Sequence, residues 1–136
     1  MIESGLVSLI QAGLGSPPIA LGFAVQLPEN QINAASPKAW LYKSITSTPN
    51  YTLDGQDGWT CWHVEIQAHG NTMADAIVLA RAIDGVLRGG YSGTLSDPDS
   101  TVVQGIFRLP GLVDGFSDLD HSFVRTLEYE IVYQQI

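Results

Sequence analysis

Trp59-Thr60-Cys61-Trp62-His63-Val64-Glu65-Ile66-Gln67-Ala68-His69, followed after Gly70-Asn71 by Thr72 to Leu87, is the stretch on which the fold turns. Its first part alternates. Trp62, Val64, Ile66 and Ala68 fall on one face and His63, Glu65, Gln67 and His69 on the other, which predicts a half-buried strand. Where the alternation stops, Thr72 is placed as an N-cap with Asp75 three residues on, a capping box with the shorter acid. Met73, Ile77, Ala80, Ile83, Val86 and Leu87 then form an apolar stripe at helical spacing. Arg88 suits the last turn and Gly89-Gly90 a stop. A helix of about 17 residues is roughly 25 Å long, enough to cross a four-stranded sheet and cover one face.

Working outward, Thr48 to Gly58 holds one Pro and two Asp-Gly pairs and reads as a turn-rich loop. Before it, Ala39 to Ser47 predicts a second strand, with Trp40 and Tyr42 on one side and Leu41 and Ile45 on the other. Apolar residues on both sides imply a strand covered on both faces or one that meets another chain. The two strands make an antiparallel hairpin with a long connection. Further upstream, Ile2, Leu6, Leu9 and Ile10 share one face of a short helix over 2–13, ended by Gly13, Gly15 and Ser16-Pro17-Pro18. Ile19 to Leu27 predicts a strand. Pro28 to Pro37 is polar, and is either a connection or an arm for a neighbouring subunit.

Downstream of the helix, Tyr91 to Ser100 reads as loop. Thr101 to Leu109 reads as a strand with Val103, Phe107 and Leu109 on one face. Pro110 to Asp120 reads as a second acidic loop. His121 to Gln134 has the clearest alternation, with Phe123, Leu127, Tyr129, Ile131 and Tyr133 opposite Thr126, Glu128 and Glu130. The order α, β, β, β, α, β, β predicts an α+β fold: a mainly antiparallel four- to five-stranded sheet with two helices packed on one face. No internal repeat or low-complexity segment interrupts it.

At 136 residues the chain is expected to be a single domain, residues 1–136, and to bury roughly two-thirds of its surface. An apolar fraction of 45% and mean hydropathy of +0.11 fit a globular protein. The lone Cys61 excludes an internal disulfide framework. No basic start to a signal peptide is visible, and the longest apolar run, Ile19 to Val25, is too short to span a bilayer. A soluble protein made in the cytoplasm is therefore expected. The net charge of −8, with six Lys and Arg, argues against gripping nucleic-acid phosphates or anionic membranes.

The chemistry-bearing residues do not assemble into a recognisable active site. Cys61 and His63 share a strand face, but positions i and i+2 are roughly 7 Å apart, beyond hydrogen-bond reach. His63, Glu65 and His69 lack metal-binding spacing, and His121 is remote in sequence. The glycine pairs lack the Lys-Ser/Thr of a phosphate loop. Asp97/Asp99 and Asp118/Asp120 suit polar turns better than catalysis or calcium. No catalytic residue, metal or cofactor is expected. Aromatic residues crowd the predicted strands, and any on the face away from the helices, with Trp40 and Tyr42 as candidates, would mark a subunit interface. Two rivals of other classes are a small enzyme using the Cys61/His63 face and a ligand-binding module with an aromatic-lined sheet.

Thr48-Pro49-Asn50-Tyr51-Thr52-Leu53-Asp54-Gly55, the strand Trp62 to Ala68, and Met73-Ala74-Asp75-Ala76 opening a helix to Leu87 resemble the tail-completion, or tail-terminator, proteins of tailed bacteriophages, prophages and gene transfer agents. The length, the short first helix and the closing strand agree, so the resemblance covers most of the chain. It implies a non-enzymatic structural virion protein: a homo-oligomeric ring, typically of six subunits, at the head-proximal end of the tail, assembled in the bacterial host cytoplasm. Such a ring caps the tail tube, stops its polymerisation and joins the head connector. The expected partners are further copies of the chain, the tail tube protein and the connector, with DNA passing through unbound and no membrane. Trp40, Tyr42, Tyr51, Leu53 and Asp54 are the candidate subunit or tube interface. Asp97, Asp99, Asp114, Asp118 and Asp120 are candidates for lining the lumen, where acidic side chains would repel DNA phosphates. Another head–tail connector or neck protein is the alternative. The polar stretch Asn30 to Ser36 matches no motif of the family.

Overall fold

The structure is a computed structural model that describes residues 2–14, 21–24, 39–52, 55–87, 92–95, 101–117 and 122–134. The described elements run α1 (Ile2–Gly13), β1 (Leu21–Ala24), β2 (Ala39–Thr52), β3 (Gly55–Gly70), α2 (Met73–Leu87), β4 (Gly93–Thr94), β5 (Val102–Arg108), β6 (Val113–Ser117) and β7 (Ser122–Gln134). One sheet joins all the strands in the order β1-β2-β3-β7-β5-β4, with β6 also paired to β7. Only β1–β2 is parallel among these pairs; the others are antiparallel. Both helices pack on the same face, so the fold is α+β with a mainly antiparallel sheet.

The alternation at 59–69 places β3 at the centre. Trp62, Val64, Ile66 and Ala68 are buried against the helices, and residues 61, 63, 65 and 67 are half-buried on the outer face. β7 lies beside it in full antiparallel register and contributes Leu127, Tyr129, Ile131 and Tyr133 to the same core. α1 adds Ile2, Leu6 and Ile10, and β2 adds Trp40. A smaller buried group, Ala39, Leu41, His69 and Val124, lies on the outer face.

Local chemistry explains how α2 begins. Thr72 Oγ1 accepts from the Asp75 N–H at 3.2 Å, and the Ala76 N–H reaches the Thr72 carbonyl at 3.1 Å, so the expected cap is present. Gly70 is required just before it. A Cβ there would come within 2.7 Å of Ala76 N and Asp75 Cβ. The buried stripe of α2 is rotated from the predicted one: Ala76, Leu79, Ala80, Ile83, Asp84 and Leu87 face inward, while Met73, Ile77 and Val86 flank them half-buried. α1 crosses α2 closely at Gly13, where a side chain would overlap Val86 Cγ2.

Four sequence expectations are corrected. The turn-rich loop at 48–58 is mostly strand: β2 runs to Thr52 and β3 starts at Gly55, with Tyr51 paired to Gln56. Pro49 is accommodated at a register shift between Pro49 and Tyr51, where the ladder is already irregular. The acidic loop at 110–120 contains β6, which pairs Val113–Ser117 with Thr126–Ser122 of β7. β5 and β6 are thus one interrupted strand along β7. Leu109 still donates to the Glu128 carbonyl at 2.9 Å, and Pro110 and Gly111, at φ 112°, make the break. Within β5, a bulge between Val103 and Gly105 flips the parity, so Val103 and Ile106 enter the core and Phe107 faces out, 55% exposed. Finally, the stretch read as loop after the helix holds the two-residue strand β4, Gly93–Thr94, paired with Val103 and Val102 of β5.

Candidate functional site

The described surface offers two chemically different regions, one on each side of the sheet. On the outer face, β3 and β7 set Glu65 directly opposite Glu128, and His63 opposite Glu130. His63 Nε2 lies 3.3 Å from Glu128 Oε2, an ion-pair distance without hydrogen-bond alignment. Gln67 Nε2 donates to Glu65 Oε1 at 2.9 Å, and Gln67 Oε1 lies 3.2 Å from His69 Nε2. These residues share a face because they alternate with the core side chains of the same strands. Cys61 lies half-buried two positions along from His63. Among the described residues, no group of three or more His, Cys, Asp or Glu side chains is placed to hold a metal ion.

The second region is the corner where α2 meets β5, β6 and β7 on the helix side. Asp84 is 2% exposed on the inner stripe of α2. Tyr129 Oη donates to its Oδ1 at 2.7 Å, and Arg108 donates to its Oδ2 at 3.3 Å. Nearby, Arg125 on β7 makes a two-pronged pair with Asp114 on β6, at 2.8 and 3.0 Å. That hydrogen bond, with the Arg125 charge, holds the Asp114 carboxyl below its ordinary range against a smaller opposing effect of burial. The same bond raises the Arg125 guanidinium. Between these pairs opens a recess of about 120 Å³, lined by Arg81, Arg108 and Arg125 together with Asp84, Leu112 and Leu127. It is well below the roughly 300 Å³ at which small-molecule pockets begin. It suits the tip of a side chain better than a substrate.

Apolar side chains are exposed beside this recess. Phe116 and Phe123 are register partners at the end of β6–β7, with ring centroids 5.1 Å apart in an edge-on arrangement. They are 55% and 37% exposed, with Leu112 at 43% nearby in sequence. An exposed aromatic pair next to arginines is a composition enriched at protein interfaces. Phe123 shares the face of Leu127, Tyr129, Ile131 and Tyr133, as the alternation predicts, yet it is exposed where they are buried.

Of the sequence-predicted site residues, Trp40, Tyr42, Tyr51 and Asp114 are among the described ones. Trp40 is corrected outright: it is 0% exposed, buried under the helices with Trp62, and has no surface to offer a partner. Tyr42 is half-buried on the same face, its ring 6.4 Å from that of Trp40. Burial, with the Glu3 charge, pushes its phenol above the ordinary value. Tyr51 lies in β2, paired with Gln56. Leu53, Asp54, Asp97, Asp99, Asp118 and Asp120 lie outside the described residues, as do the stretches 28–37, 88–91 and 96–100. Asp114 is exposed, but on a strand and bound to Arg125 rather than in an open acidic loop.

Among the described residues no helix is long and apolar enough to cross a membrane. No known protein-family model matches the chain, and no curated protein matches it either.

Proposed function

We propose that this protein is a structural subunit of a phage-like tail, a tail-terminator-like protein that assembles as a ring at the head-proximal end of the tail tube. The observation that carries this reading is the clustering of exposed Leu112, Phe116 and Phe123 beside three arginines; Ile45, Val78, Phe107 and Val113 are the other exposed large apolar side chains among the described residues. Such a patch on a small domain marks a surface for another protein. The likeness of Thr48 to Leu87 to tail-terminator sequences names the kind of assembly. In this reading the chain is not an enzyme, carries no cofactor, and works by self-association and by docking on tube protein and head connector. DNA passes through the ring without specific binding.

The experiment is co-purification with the tail tube protein of the same phage-like tail, followed by mass measurement by light scattering and by negative-stain imaging. A ring of about six copies capping tube ends is expected. Co-purification with the portal or adaptor alone would instead assign the chain to the neck. A monomer that binds none of these would overturn the assembly reading.

A further inference from the structure

The two regions described above are complementary in charge and lie on opposite sides of one sheet. Only six Lys and Arg stand against fourteen Asp and Glu in the chain, yet three of the six, Arg81, Arg108 and Arg125, line a single recess. A guanidinium has five donors, so Arg108 and Arg125 keep N–H groups beyond those given to Asp84 and Asp114. Arg81 is exposed. On the outer face Glu65, Glu128 and Glu130 are gathered by the β3–β7 register, with Glu65 and Glu128 directly opposed. Like charges so placed destabilise a sheet. Lys43, opposite Glu65 on β2, is the one Lys or Arg on that face among the described residues. Exposed apolar surface accompanies both regions: Phe107 beside Glu130, and Phe116 with Phe123 near Arg125.

We infer that copies of this chain bind one another head to tail, the arginine corner of one seating on the glutamate-bearing outer face of the next. This rests on the ring reading above and names the surfaces that make the ring. The corner cannot reach the outer face of its own chain, because the sheet stands between them. Pairing like with like is disfavoured: a two-fold contact through the outer face sets glutamates against glutamates, and one through the corner sets Arg81 against arginines whose carboxylates, Asp84 and Asp114, are already bound to Arg108 and Arg125. The remaining arrangement is heterologous, the class of contact that closes into rings. The recess takes a carboxylate tip, and the phenylalanines supply the dry part of the contact.

The test uses two charge reversals in the full chain, Arg81→Glu and Glu130→Arg, each checked for native circular dichroism. Association is followed by sedimentation across protein concentration, with and without tube protein. Each single variant is expected to weaken self-association by about tenfold or more, and an equimolar mixture of the two to regain it, since each supplies the partner surface that the other has reversed. Wild-type association in both variants would overturn the inference while leaving the ring reading standing, with its interface elsewhere. Loss in both singles without recovery in the mixture would also overturn it, because the two surfaces then do not face each other. A corner that binds tube protein but never a second copy would overturn it likewise. A wild-type chain that stays monomeric with and without tube protein would bring down both readings.

Discussion

Asp84 occupies a position on α2 where helical spacing calls for an apolar side chain, and its neighbours make that tolerable. The carboxylate is buried, and a buried acid without donors is costly. The Tyr129 hydroxyl and the Arg108 guanidinium supply donors from β7 and β5, tying the helix to two strands. Tyr129→Phe keeps the ring and removes one donor, so urea unfolding should show a loss of about 1–3 kcal/mol. An unchanged midpoint would mean that the bond contributes nothing. The Asp114–Arg125 pair is more exposed and its contribution smaller, below about 1 kcal/mol. Its sign with pH is set by the lowered carboxyl pKa. The contribution is complete above the unfolded carboxylate value of about 4 and is lost as pH falls through the lower folded value. The stability difference between the wild type and Asp114→Asn, measured by urea from pH 7 down to pH 2, should therefore shrink towards acid. A difference that grows in acid would contradict the pairing.

Parity decides much at the scale of the element. The alternation of β3 and β7 was legible because both strands are half-buried and regular over their described pairing, so composition and face coincide. β5 was misread because its bulge inserts one residue, and a period of two has no memory of an insertion. The break between β5 and β6 was read as the start of a loop because Pro110-Gly111 is turn chemistry. The ladder resumes beyond it because β7 continues alongside with unpaired backbone groups. Gly111 and Gly115 separate the two roles of glycine here. A Cβ meets nothing within 4 Å at either, but only Gly111 has positive φ. Gly111→Ala should lower stability by about 1–3 kcal/mol through backbone strain. Gly115→Ala should leave the melting temperature within about 2 °C of wild type, on the scale of a surface change of under 0.5 kcal/mol. Equal effects at the two sites would show that the break does not depend on Gly111.

Taken as a whole, the molecule divides its labour between the faces of one sheet. The helix side holds the core, the buried Asp84 and, at one corner, the arginine recess with its phenylalanines. The outer side holds glutamates, His63 and an exposed Phe107. A net charge of −8 keeps separate copies apart in solution, so association through the proposed surfaces has to overcome general repulsion with local attraction. Salt screens both. If the local pairs dominate, the assembly constant should fall as ionic strength rises from about 50 to 500 mM. A rise would point to an apolar contact limited by net charge.

The amino-acid sequence by itself determined the α+β class, the helix cap at Thr72, the helix boundaries to within a few residues, and the inner faces of β3 and β7. Those properties depend on neighbours within one strand or one turn, where periodicity speaks directly. Only the tertiary structure decided that Trp40 is core rather than interface, that Phe116 and Phe123 are exposed, and that three scattered arginines meet. Arg81, Arg108 and Arg125 lie on three elements, and their meeting depends on the order of strands across the sheet and the seat of α2 upon it. Pairing between residues distant along the chain leaves no period in the sequence from which it could be read.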